Sequence, residues 1–216
     1  MNAALKRPLA LLIPLLLLLP QCVAFEIPLT EQTIREAYFI GQHHDASTES
    51  ALVPYIRHLA PPKKGPYISE VRLFTPYAQV IDSSNSQSGG YSAQQAAADY
   101  HSRSDTILVR VRVEFTATYG FLEAGRNAKD IASEKGIKIR QDDFWQAFRV
   151  GLSQKDQWID PLSQDGEATY SDIGMNGALL WLVCDAHDIE SNDATVEVFT
   201  PDGQHVTTTF DLASLR

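Results

Sequence analysis

The stretch Thr106-Ile107-Leu108-Val109-Arg110-Val111-Arg112-Val113-Glu114-Phe115-Thr116-Ala117-Thr118 decides the fold. Ile107, Val109, Val111, Val113 and Phe115 take alternate positions, with Leu108, Arg110, Arg112, Glu114 and Thr116 between them. Side chains along a strand point to opposite faces with a period of two. This stretch therefore reads as a strand with one apolar face and one largely wet face. A sheet covered on one side in this way is antiparallel.

The same period extends outward. Before it, Val71, Leu73 and Thr75 alternate with Glu70 and Arg72 over Tyr67–Thr75, and Tyr77–Asp82 reads as another strand after the Thr75-Pro76 break. Asp82–Gly90 is rich in Ser, Asn and Gly and is expected to be a loop. Ser92-Ala93-Gln94-Gln95 has the form of a capping box and opens a short helix to about His101. After it, residues 119–141 read as a charged surface connection with one helical turn near Asn127–Glu134. Asp143–Gln154 carries both periods, and strand is preferred because Gly151 and β-branched content weaken a helix. Lys155–Asn176 is expected to be a polar, acidic loop. Gly177–His187 follows as a buried strand. Thr195–Thr200 and Val206–Leu212 form a hairpin through Pro201-Asp202-Gly203.

Residues 30–62 have a different period. Thr30 caps a helix over Glu31–Ile40, with Ile34, Ala37, Tyr38 and Gly41 on one stripe and Gly41 as its stop. A second short helix is expected from about Ser50 to Leu59, ended by Pro61-Pro62. The resulting fold class is mainly β with short helices: an antiparallel β-sandwich of about seven strands, immunoglobulin-like in general architecture, with an N-terminal helical section.

The segment ahead of Phe25 concerns address. Lys6 and Arg7 precede the apolar run Leu9–Leu19, and Pro20-Gln21-Cys22-Val23-Ala24 supplies a breaker and a small residue. This is the layout of a cleaved export signal over 1–24. The run is well short of the ~20 residues that cross a bilayer. A single domain over 25–216 is then expected, of about 190 residues, large enough to hold a core without a disulfide. Cleavage would remove Cys22 and leave Cys184 unpaired; Gln21 before Cys22 disfavours a lipid anchor there. The formal charge is −9. Removing Lys6 and Arg7 from the 18 basic residues leaves 16 against 27 acidic ones, about −11. So acidic a chain gains nothing from counterion release at phosphates, which excludes nucleic acid as the expected partner.

No nucleophile elbow, HExxH, CxxC or glycine-rich phosphate loop is present in the sequence. The densest set of candidate metal ligands is His43-His44-Asp45; imidazole and carboxylate suit zinc, copper or non-haem iron. Asp185 and His187 lie two apart at a strand end, where a carboxylate can orient a histidine as base or ligand. For both groups the competing reading is a solvated polar loop. Cys184 sits in an apolar run and reads as core. Asp156, Asp160, Asp165, Glu167 and Asp172 place oxygen donors along one loop without the EF-hand spacing. Trp145, Trp158 and Trp181, with Tyr67, Tyr77, Tyr91 and Phe74, are either core or an exposed aromatic platform for sugars or partners. Phe74 stands out because it falls on the polar Glu70/Arg72 face.

The segments Arg35-Glu36-Ala37-Tyr38-Phe39-Ile40-Gly41-Gln42, Thr75-Pro76-Tyr77-Ala78-Gln79-Val80 and Tyr91-Ser92-Ala93-Gln94-Gln95-Ala96 resemble a family of uncharacterised bacterial exported proteins, as does the ending with Pro201-Asp202-Gly203 and Phe210-Asp211-Leu212. The resemblance implies export and carries no activity, cofactor or site residue. The expected function is a non-catalytic extracytoplasmic binding or envelope-interaction module, with a protein or envelope component as partner and no cofactor. The alternative is a secreted or periplasmic hydrolase holding a metal ion at His43, His44, Asp45, Asp185 and His187.

Overall fold

A computed structural model of the chain describes residues 25–63, 65–87, 89–116, 142–172 and 174–216. Residues 1–24, read above as an export signal and holding Cys22, and the whole of the connection expected at 119–141 lie outside the described residues. The protein is mainly β, with two antiparallel sheets and a few helices.

The deciding strand is β3, Thr106–Phe115, and Ile107, Val109, Val111 and Val113 on its apolar face are fully buried. It pairs on one side with β2 (Pro66–Phe74) and on the other with β7 (Gly174–Asp185). With β1 (Ile56–His58) and β6 (Pro161–Ser171) at the edges, the first sheet runs β1-β2-β3-β7-β6. The second runs β5-β4-β8-β9, from β5 (Gln157–Trp158), β4 (Arg149–Gln154), β8 (Asp193–Phe199) and β9 (His205–Asp211). The β8–β9 hairpin turns where Pro201-Asp202-Gly203 is placed, with Gly203 at a positive φ of 85°. Val150, Leu152, Ala194, Val196, Val198 and Phe210 of the second sheet share one apolar core with Val111 and Leu182 of the first.

Among the described residues, four helices accompany the sheets: α1 (Glu31–Gln42), α2 (Ala46–Leu52), α3 (Pro76–Ser86) and α4 (Ala93–His101). Thr30 caps α1 and the Ser92/Gln95 capping box opens α4, both at the expected positions. Gly41 is not a stop but an interior contact of α1. A Cβ there would stand 2.5 Å from the Ile81 carbonyl oxygen and 2.6 Å from Ser84 Cβ, so glycine lets α1 meet α3 closely.

Several elements differ from expectation. Tyr77–Asp82 is helical rather than extended, and the expected loop at Asp82–Gly90 begins with the end of α3. The side chain of Thr75 accepts from the Ala78 N–H and Pro76 fills the first helical position, a start signal that overrides the β-like composition. The helix expected over Ser50–Leu59 lies earlier as α2, started by Asp45. Pro54, which has no N–H to give, sits in the 3-10 turn Val53–Tyr55 before β1. Phe144–Ala147 is a 3-10 turn, and β4 follows it. The loop expected at Lys155–Asn176 holds β5, β6 and the start of β7, so the described residues form nine strands in place of about seven. An edge strand is ordered by its backbone ladder and can be polar on both faces, which hid β6 from a periodicity argument. Phe74 is fully buried, its ring 6.5 Å from Tyr55 with the Arg110 guanidinium 5.4 Å away.

Candidate binding face

The outward face of the second sheet is built by the hairpin between β4 and β5. Lys155 and Asp156 both have positive φ, 50° and 63°. A two-residue hairpin turn of the primed type requires this. The reversal pairs Ser153 with Trp158 and folds the Trp158 indole back over Gly151. A Cβ at Gly151 would overlap Trp158 Cζ3, so the ring rests on bare backbone. Trp158 remains 55% exposed.

A second aromatic stands beside it. The Phe199 ring is 6.4 Å from Trp158, and His205 stacks on Phe199 at 4.3 Å and 7°. The Arg149 guanidinium lies 5.3 Å from the Phe199 centroid, a cation–π contact. Glu197 fixes this group: its carboxylate accepts from Ser153 Oγ at 3.2 Å and contacts His205 Nε2 at 2.8 Å. Trp158 and Phe199 thus wall a cleft of about 460 Å³, with Arg149, Gly151, Asp160 and Gln164 among its lining. A second hollow of about 280 Å³ shares Trp158, Ile159 and Asp160 with it. There the Lys155 ammonium lies 2.5 Å from Glu190, and this hydrogen bond and charge hold the Glu190 carboxyl below the usual carboxylate range.

A wider hollow, about 740 Å³, lies between α1 and α4. Its polar groups are largely spent on the fold: Glu31 on His101, Gln32 on Glu36, Ser92 on the α4 cap. The Trp158 cleft differs, because among the described residues no side-chain hydrogen bond or ion pair engages Asp160 or Gln164.

No family model matches this chain, and no curated protein matches it.

His43, His44 and Asp45 are exposed where α1 passes into α2. His43 closes α1 by donating its backbone N–H to Ile40, and His44 adopts a positive φ of 51°. Asp45 caps α2, accepting from the Ser47 hydroxyl and backbone N–H, which hold its carboxyl below the usual range. β7 ends at Asp185, so His187 belongs to the following 3-10 turn rather than to the strand. The two residues nonetheless meet. Asp185 Oδ1 accepts the His187 N–H at 2.9 Å and lies 3.0 Å from His187 Nδ1; these contacts lower the Asp185 carboxyl. Among the described residues, no hydrogen bond or ion pair joins this pair to His43–Asp45, and no group of three or more His, Cys, Asp or Glu is placed to hold a metal ion.

Cys184 is fully buried; burial first, then the charge of Asp188, pushes its thiol up to about 11. Of the acidic residues expected in one loop, Asp165 and Glu167 lie in β6, Asp156 and Asp160 flank β5, and Asp172 follows β6. Of the seven aromatics singled out, Trp158 is the exposed one. Tyr67 donates to Glu114, Tyr91 donates to Asp99, and Trp145 packs against Gly166. The residue types at the cleft were legible. Its partners were not, because the Gly151–Trp158 contact requires the hairpin, and Lys155-Asp156 lacks the glycine or asparagine that marks such a turn.

Proposed function

We propose that the chain is exported and acts outside the inner membrane as a non-catalytic binding or envelope-interaction module. The observation that carries this reading is Trp158, held half-exposed over Gly151 in a cleft with unengaged polar side chains. An aromatic face propped on backbone in a cleft, with a few convergent polar groups beside it, has the make-up of a ligand site. Lys6, Arg7 and the run Leu9–Leu19 support export, and the net charge of −9 supports a partner other than nucleic acid. The same reading takes the two sheets as layers of an antiparallel β-sandwich, immunoglobulin-like in general architecture; their shared core supports it.

The test is fractionation of the full chain expressed in a bacterium. The product should begin at Phe25 without acyl mass and sediment with purified envelope. Trp158→Ala should release most of it, while Val53→Ser, at another exposed apolar position, should not. Retention in the cytosol at full mass defeats the export reading, and equal sedimentation of both variants defeats the cleft.

The contact of Asp185 with His187 favours a second reading, a secreted or periplasmic metal-dependent hydrolase in which Asp185 orients His187 as a ligand. It expects zinc to raise the melting temperature, and His187→Ala to remove that rise. No rise with the unmodified chain ends it.

A further inference from the structure

Resting on the binding-module reading, we infer that the Trp158 cleft takes a neutral saccharide chain. A pyranose ring has an apolar C–H face and a rim of hydroxyls, each both donor and acceptor. Its recognition needs a flat aromatic surface open on one side and, around it, donors and acceptors not already satisfied. Trp158 supplies the surface: Gly151 supports one side of the indole while the side chain stays 55% exposed. Asp160 supplies an acceptor, and Gln164 supplies both a donor pair and an acceptor. Arg149 adds N–H donors at the Phe199 side. The cleft measures about 460 Å³. That is within the size range of pockets that hold small molecules.

Charge selects among flat ligands. Arg149 and Asp160 balance in the main cleft, while the adjoining hollow adds Asp188 and the paired Lys155 and Glu190. An anionic sugar or a nucleotide would meet net negative charge there. A proline-rich segment also stacks on indole, but its backbone offers carbonyl acceptors and no proline N–H, leaving Asp160 without a donor to accept from. Because Trp158, Ile159 and Asp160 border both hollows, more than one sugar ring can lie across this ridge. Polar groups left unpaired under a ligand penalise one that lacks matching hydroxyls, so the rim sets specificity while the indole sets affinity.

The experiment is titration calorimetry of the full chain with cellopentaose, maltopentaose, xylopentaose and chitopentaose, alongside decaproline and an oligoglucuronate. At least one neutral pentasaccharide should bind saturably, and Trp158→Ala should weaken it about tenfold or more, while Trp158→Phe keeps part of the affinity. Asp160→Asn, on an exposed side chain with no hydrogen bond or ion pair among the described residues, should weaken the same sugar with the melting temperature of the protein unchanged. Silence from all four neutral sugars overturns the inference, as does sugar binding that ignores both positions or a preference for oligoglucuronate. If decaproline alone binds through Trp158, the saccharide is wrong and the binding-module reading stands. If no probe binds and envelope sedimentation ignores Trp158, both fall.

Discussion

Tyr100 shows how one side chain ties distant segments of this chain together. It is buried near the end of α4, donates to Asp105 and accepts the Leu29 backbone N–H at 2.8 Å. Replacing it with Phe keeps the ring and removes both bonds, leaving a buried N–H without its partner. Such losses cost about 1–3 kcal/mol, read as a lower urea midpoint for Tyr100→Phe. The same phenol makes stability depend on alkaline pH. Burial, then the bond to Asp105, pushes it up to about 12 from an ordinary value near 10. The folded state therefore keeps a proton that the unfolded chain releases first. This contribution is full below the unfolded value and is lost as pH rises from about 10 through 12. Urea midpoints should fall between about pH 9 and pH 11, and fall less in Tyr100→Phe. Tyr91, also raised to about 12, keeps part of the slope. An equal slope in both proteins would assign the effect elsewhere.

Among the elements, α3 has a start that one buried hydroxyl ties to a distant residue. Thr75 is fully buried; its hydroxyl oxygen accepts the Ala78 N–H and its O–H donates to the Arg216 carbonyl. Thr75→Ala removes a helix cap and a long-range bond together, and should cost about 1–2 kcal/mol, with Thr75→Ser recovering most of it. Chemical denaturation of the two variants measures this, and equal losses would show that the methyl group, not the hydroxyl, matters. α3 also marks where sequence reading succeeds and fails. β3 was legible because burial on one face writes its period directly into Ile107, Val109, Val111 and Val113. At Tyr77, Val80 and Ile81 the spacing already fits a helix, yet the β-rich composition masked it, and Thr75-Pro76 was the deciding signal. β6 left no period, since an edge strand is held by the backbone it shares with β7. Trp158 was legible as an aromatic but not as a site, because its exposure depends on Gly151 across the hairpin and on the turn between them.

The whole molecule depends on contacts between its two sheets. Phe210 on β9 is fully buried, and the Arg57 guanidinium of β1, in the other sheet, lies 4.5 Å from its ring. Leu152, Val196 and Phe210 belong to the same apolar cluster as Val111, Leu182 and the buried helix residues Ile34 and Ile81. The buried apolar residues of both sheets therefore lie in one cluster. Alternate positions carry charged or hydroxyl side chains, such as Arg72 and Arg112 on the first sheet and Thr195, Thr207 and Thr209 on the second. The two sheets should therefore unfold together, as one cooperative unit. Phe210→Ala should cost about 3–5 kcal/mol, a large share of the roughly 5–15 kcal/mol typical of a folded domain. Urea unfolding followed by far-ultraviolet circular dichroism and by tryptophan fluorescence should give coincident curves, both displaced to lower urea by this substitution. Trp181 lies on the first sheet and Trp158 on the second, so fluorescence samples both. If Phe210→Ala instead splits the curve, with the Trp158 signal lost before the circular dichroism of the five-stranded sheet, the sheets hold separate cores. The Trp158 face could then open without unfolding the rest, which the rigid platform of the proposed saccharide site would not allow.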